Sequence, residues 1–208
     1  MAGRMVPDVI VSRLPVYLRA LQYMQMEGVE NTSSQDLGAK VNISAAQIRK
    51  DLSQFGEFGK QGTGYRVETL IEHLEKILQV EKIWSVAVIG MGDMGHALVR
   101  FGGFRNRGFE ITECFDNDPT KIGTKVGNYE IQDSARIVPA VDWKTKMVML
   151  CVPASAAQKV ANRLVECGVK AILNYAPVHL TVPDSVKVQY IDPVIGLQRM
   201  AYYLKDGE

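Results

Sequence analysis

Residues 86–95, VAVIGMGDMG, constrain this chain more than any other stretch. Four residues of strand-like apolar pattern break on glycines at 90, 92 and 95, a G-x-G-x-x-G. Taken alone, that spacing is weak. Its surroundings make it specific. A helical pattern follows, and Asp116 ends the next strand-like run, 21 positions after Gly95. In such a strand–loop–helix unit, Gly90 permits the tight turn and Gly92 lets the backbone approach a pyrophosphate. Gly95 lets the helix pack close to its strand. The backbone of Met91, Asp93 and Met94 completes a helix N-terminus whose free N–H groups face the phosphates. Asp116 would accept from ribose hydroxyls, and its charge disfavours a 2′-phosphate, so NAD is expected over NADP. Asp93 suits the helix dipole but brings a negative charge close to the phosphates.

The period of the apolar residues changes near residues 80–84. Before it the chain reads as helices. Leu14, Leu18, Leu21 and Met24 recur at three and four residues, predicting a helix over 12–27 with Gly28 beyond its end. Ser33 or Ser34 can cap a short helix holding Leu37, Ala39 and Val41. A turn at Asn42-Ile43 leads to Ser44, which can cap a helix through Ile48, Leu52 and Phe55. Two short helices joined by a tight turn are a helix-turn-helix pattern. Gly56, Gly59, Gly62 and Gly64 then close on Tyr65-Arg66-Val67, a pattern for a small hairpin, or wing. One more helix carries Leu70, Ile71, Leu74, Ile77 and Leu78. After the change, strands are expected at 86–89, 110–115, 147–151, 171–174 and 188–191. Helices are expected at 94–105, 154–167 and 195–203. That alternation implies a parallel sheet with crossover helices. The expected class is α/β: an N-terminal winged helix-turn-helix domain, residues 1–82, then a Rossmann-like domain, residues 83–193. A last segment, 194–208, is helical.

No run of about 18 apolar residues spans a membrane, and the N-terminus has no signal-peptide pattern. The net charge of +1 gives no global sign of nucleic acid. Locally, Arg49, Lys50, Lys60 and Arg66 outnumber Asp51 and Glu57 between residues 44 and 66. Cys114, Cys151 and Cys167 fit neither zinc spacing nor a disulfide framework, which points to buried thiols in a reducing cytoplasm. His73, His96 and His179 form no acid/base or metal constellation, and no substrate domain remains outside the sheet. We expect no catalysis and no metal.

Several segments together resemble one family. They are SRLPVYLR (12–19), TSSQDLGAKVNISAAQIRKDLSQFGEFGKQGTGY (32–65), VIGMGDMGHAL (88–98), FDNDPTKIG (115–123), VPASAAQKVANRL (152–164), GVKAILNYAPV (168–178) and IDPVIGLQRM (191–200). They are similar to the Rex family of bacterial redox-sensing transcriptional repressors. The resemblance implies a cytoplasmic homodimer that binds palindromic double-stranded DNA operators. It implies NAD(H) as cofactor, with NADH releasing the DNA and NAD⁺ competing for the same pocket. It also implies a C-terminal helix exchanged between subunits.

In that frame the helix of 45–55 is the recognition helix. Arg49 and Lys50 reach guanine O6/N7, and Ser44 and Gln47 contact phosphate or base edges. Lys60 and Gly62 of the wing follow the backbone. Asn174 and Pro177, after a strand's end, border the nicotinamide, and Val152 and Pro153 flank the same crevice. A family relay joins an arginine, an aromatic residue and a partner's aspartate. Arg19 and Asp192 match it, but Phe101 stands where a tyrosine is common, so the ring lacks a hydroxyl. Two other readings fit the residues: a winged-helix paralogue with weak or no NADH response, and a small NAD-dependent enzyme.

Overall fold

The computed structural model describes residues 6–56, 58, 64–138 and 145–204. The chain divides into two compact units, residues 1–82 and 83–208.

The first unit is helical. α1 (Asp8–Val11) leads into α2 (Leu14–Met26), whose Leu14, Tyr17, Leu18 and Leu21 are buried. The 3.6-residue period that predicted this helix is the stripe it buries. It ends on Gly28, in the left-handed region at φ 79°. The Gly28 and Val29 N–H groups bond back to Gln25 and Met24, as expected of a glycine just past a helix end. α3 (Ser34–Val41) is capped by Ser33, whose hydroxyl accepts from the N–H groups of Gln35 and Asp36. Asp36 returns a bond to the Ser33 N–H, so Ser33 is the cap and Ser34 begins the helix. Asn42, left-handed at φ 55°, turns the chain. α4 (Ala45–Leu52) starts at Ser44, which accepts from the Gln47 N–H. α4 stops before the expected residue 55, and half-buried Phe55 packs on the core with Leu37, Ile48, Leu70 and Leu74. α5 (Val67–Leu78) closes the unit.

Two short strands tie the unit together. β1 (Asn31–Thr32) pairs antiparallel with β2 (Tyr65–Arg66), Thr32 opposite Tyr65. The sequence reading placed β2 in a local hairpin. Its partner among the described residues instead lies before α3. The rest of the wing, residues 57 and 59–63, is outside the described residues.

The second unit is a seven-stranded sheet: β3 (Trp84–Ile89), β4 (Phe109–Asp116), β5 (Lys125–Val126), β6 (Tyr129–Asp133), β7 (Met147–Leu150), β8 (Ala171–Asn174) and β9 (Lys187–Tyr190). The spatial order is β5-β6-β4-β3-β7-β8-β9, parallel except for the β5–β6 pair. β5 and β6 went unread in the sequence, since neither carries an apolar run. α6 (Asp93–Arg100) follows β3, α7 (Ala154–Glu166) follows β7, and α8 (Pro193–Tyr203) follows β9. α6 is shorter than its expected span of 94–105. It ends where Phe101 turns extended ahead of Gly102-Gly103, residues that lower helix propensity. The chain leaves β3 toward β4 and β6, then returns to place β7 on the other flank of β3. The switch point of the sheet is therefore at the C-terminal ends of β3 and β7.

Gly38, which the sequence reading passed over, controls the helix-turn-helix. A Cβ there would lie 2.4 Å from the Ile43 carbonyl oxygen, a backbone atom that cannot move aside cheaply. We expect Gly38→Ala to destabilise the first unit by about 1–2 kcal/mol. Amide exchange in α3 and α4 should accelerate by about 5–30-fold. Unchanged exchange there would show that the turn has slack.

Candidate nucleotide cavity and nucleic-acid interface

A cavity of about 770 Å³ opens at the switch point. Its walls come from three strand ends: Ile89, Gly90, Gly92, Asp93 and Met94 after β3, Phe115–Asp118 after β4, and Cys151–Pro153 after β7. Ligands of open α/β sheets occupy this position.

The glycines have distinct local reasons. Gly90 has φ 95°, and a Cβ would meet the Cys151 carbonyl at 2.6 Å. At Gly95 a Cβ would come within 2.1 Å of the Gly90 oxygen, so α6 crosses β3 only because Gly95 has no side chain. At Gly92 a Cβ would meet nothing within 4 Å, which leaves that backbone open to the cavity. Met91 is buried behind the loop.

Asp116 holds the loop in place. Its carboxylate accepts from the Met91 N–H at 2.7 Å and the Asp118 N–H at 2.9 Å, with the Lys121 ammonium 3.4 Å away. Burial pushes this carboxyl up, but the two N–H donors and Lys121 outweigh it and hold the group below the usual carboxylate range. The predicted ribose acceptor is thus ionised and also fixes the glycine loop. Oδ2 accepts from both Met91 and Lys121, whereas Oδ1 accepts from Asp118 and keeps a lone pair for a hydroxyl.

The sequence reading missed Lys121, Ser134, Lys159 and Arg163, which complete the wall. Ala156, Lys159, Val160 and Arg163 stand three and four apart on α7, so the helical period counted from the end of β7 would have found them. Asn174 and Pro177 do not line this cavity. Asn174 is buried, and its amide bonds the Ala176 N–H, the Ala176 carbonyl and the Val178 carbonyl. It shapes the loop after β8, while Pro177 is exposed on that loop.

On the first unit, Arg49 and Lys50 are exposed on α4. Arg49 is not wholly free, because its guanidinium donates to the Ser34 hydroxyl at 2.9 Å. Ser44 is exposed and caps its helix, and Gln47 donates to Asp51 at 2.7 Å. Lys60 and Gly62 lie outside the described residues. Of the relay positions, Arg19 is exposed on α2. Phe101 is 50% exposed and sits edge-on to Phe104. Asp192 caps α8 through the Val194 N–H. No residue of α8 is buried, and Ile195, Leu197, Met200 and Tyr203 stand in the open.

A helix-turn-helix joined to an α/β unit with a glycine-loop cavity at its switch point defines a class: DNA-binding regulators governed by a nucleotide-like ligand. Comparison with known proteins narrows this. Family models described as "Putative DNA-binding protein N-terminus" and "CoA binding domain" match residues 5–53 and 81–178. A redox-sensing transcriptional repressor Rex of Chloroflexus aurantiacus is 54% identical over 199 residues, 95% of this chain and 94% of its own. The crystal structure of RSP in complex with β-NAD⁺ and operator DNA superposes with a TM-score of 0.92 at 36% identity, covering 98% of this chain and 94% of its own. RSP in complex with β-NADH gives 0.88 at 34% identity, covering 98% and 96%. The chain belongs to the Rex family of redox-sensing transcriptional repressors.

The thiols allow a test of how redox state could enter. Burial pushes Cys151, in the cavity wall, up to about 12, and burial with nearby Glu113 pushes Cys114 up to about 11. Both are neutral thiols at pH 7.5, and the thiolate is the nucleophile. Iodoacetamide should leave them unmodified in the native protein and label them fully in denaturant, as read by intact mass. Rapid native labelling would contradict this burial.

Proposed function

We propose that this chain represses transcription as a homodimer on palindromic DNA operators and leaves them when NADH fills the cavity of the second unit. The observation that carries the reading is the cavity itself. Open backbone at Gly92, a helix N-terminus and an ionised Asp116 line one wall, which suits a pyrophosphate and a ribose. The relative solved with β-NAD⁺ and operator DNA, and again with β-NADH, supports the same ligands here. In this reading Gly90 to Gly95, Asp116, Val152 and Pro153 hold the dinucleotide. Asn174 shapes the loop that carries Pro177 toward the nicotinamide. Ser44, Gln47, Arg49, Lys50, Lys60 and Gly62 face DNA, and Arg19, Phe101 and Asp192 relay the signal. The protein works in the cytoplasm and catalyses no reaction.

Release requires that NADH bind the DNA-free form more tightly. A hundredfold preference per site is about 2.7 kcal/mol, doubled in a dimer. Anisotropy of a labelled palindromic operator at fixed salt tests this, since phosphate contacts make affinity salt-dependent. We expect NADH to release the DNA and NAD⁺ to oppose it. A second reading, coenzyme A as ligand, is favoured by the family model of residues 81–178 and shares the adenosine and pyrophosphate. Release by coenzyme A but not NADH would establish it in place of the first.

Exposure along α8 supports the dimer. An 11-residue helix with no buried residue, whose Leu197 and Met200 share one apolar face with Leu204 just past its end, calls for a partner. We expect Leu197→Glu with Met200→Glu to shift the sedimentation coefficient from dimer to monomer. An unchanged dimer would place the interface elsewhere.

A further inference from the structure

Asp51 is a charged residue with 0% exposure, set in the last turn of α4. It is kept ionised by four donors. The Arg13 guanidinium donates through Nε at 2.6 Å and Nη2 at 2.7 Å, the Tyr17 hydroxyl at 2.7 Å, and Gln47 Nε2 at 2.7 Å. Arg13 is the N-cap of α2 and Tyr17 lies near its start, so this carboxylate pins α4 to α2. Bidentate, charge-assisted bonds of this kind are the geometrically demanding ones.

The network has a consequence for Gln47. An ionised carboxylate only accepts hydrogen bonds. The amide atom 2.7 Å from it must therefore be nitrogen, and the carbonyl oxygen is the end turned away. No other hydrogen bond holds that oxygen among the described residues. Gln47 is the third residue of α4, in the first turn, and is half-buried with its nitrogen on the buried side. First turns of recognition helices are the parts that meet base edges.

We propose that the Asp51 cluster fixes Gln47 as an adenine reader, a specificity determinant of the DNA-binding helix. This rests on the operator-binding function proposed above. A carbonyl oxygen pointing into the major groove needs a donor, and only the amino groups of adenine and cytosine offer one there. Asp51 takes one Nε2 hydrogen and leaves the second. That hydrogen can go to adenine N7, whereas cytosine has no acceptor beside its amino group. Guanine presents only acceptors and is disfavoured. Asp51, Arg13 and Tyr17 are positioning residues: without them the amide could turn over and take guanine equally.

The test uses the full chain. Preferred sites are first selected from a randomised duplex library. Each adenine of the half-site is then replaced by nebularine, which lacks the 6-amino group, and affinity is read by anisotropy at fixed salt. We expect one adenine per half-site at which the wild type loses about tenfold. Gln47→Met, at a half-exposed position, should fold with an unchanged melting curve and show less than a twofold difference at that adenine alone. Asp51→Asn, which can both donate and accept, should widen the preference there to guanine if it folds. Nebularine without effect at every adenine, or a loss that persists in Gln47→Met, overturns the proposal. A library that yields no preferred sequence instead overturns the operator-binding function on which it rests.

Discussion

The cavity exists in its present shape because the Met91 N–H reaches the Asp116 carboxylate. That bond joins the loop after β3 to the end of β4, its neighbour on one side of the switch point. It can form only where the loop lies flat against the sheet, and the loop lies flat only because Gly90 and Gly95 have no Cβ. Backbone meets backbone at both positions, so no rotamer change could relieve a side chain. The carboxylate, the missing side chains and the crossing of α6 over β3 form one arrangement. Removing any member would open the wall that the others build.

The helical unit uses the same device. There too a buried carboxylate collects donors from separate elements, and there too it fixes something that must face outward. Asp116 orients a loop of N–H groups, and Asp51 orients a helix and one of its amides. A buried charge is costly unless fully paired. Among the described residues, no buried side-chain polar atom lacks a partner. Full pairing leaves each carboxylate a single low-energy surrounding, which suits a protein whose two surfaces must keep their shapes while a ligand comes and goes.

Redox information can enter such a molecule through the ligand. The thiols are held neutral by burial, while NAD⁺ and NADH themselves differ in the nicotinamide, flat and cationic in one and puckered and neutral in the other. Converting that difference into DNA release takes a dimer whose recognition helices must match half-sites one turn apart. The apolar residues of α8 stand exposed on the chain, a surface suited to a partner. Phe101 carries a ring without a hydroxyl, so any relay through it acts by packing and not by hydrogen bonding.

Much of this was legible in the residues. The period-3.6 stripe of α2, the caps Ser33 and Ser44, and the glycine loop with its distant acid each depend on neighbours close in sequence or on one well-spaced pattern. β1, β5 and β6 were not legible, because strands of two to five residues without an apolar run leave no period to read. Lys121, Lys159 and Arg163 came to the cavity through the packing of α7 and the β4 loop. The linear text offered Arg49 and Gln47 as free reading groups, yet each bonds a residue placed by folding: Ser34 across the turn, and an Asp51 made ionic by Arg13 and Tyr17 from another helix. The sequence by itself determined the two units, their order and the glycine loop, since local propensity and spacing encode them. Only the tertiary structure decided which way side chains point and which strand ends share a cavity, because those depend on partners distant along the chain and adjacent in space.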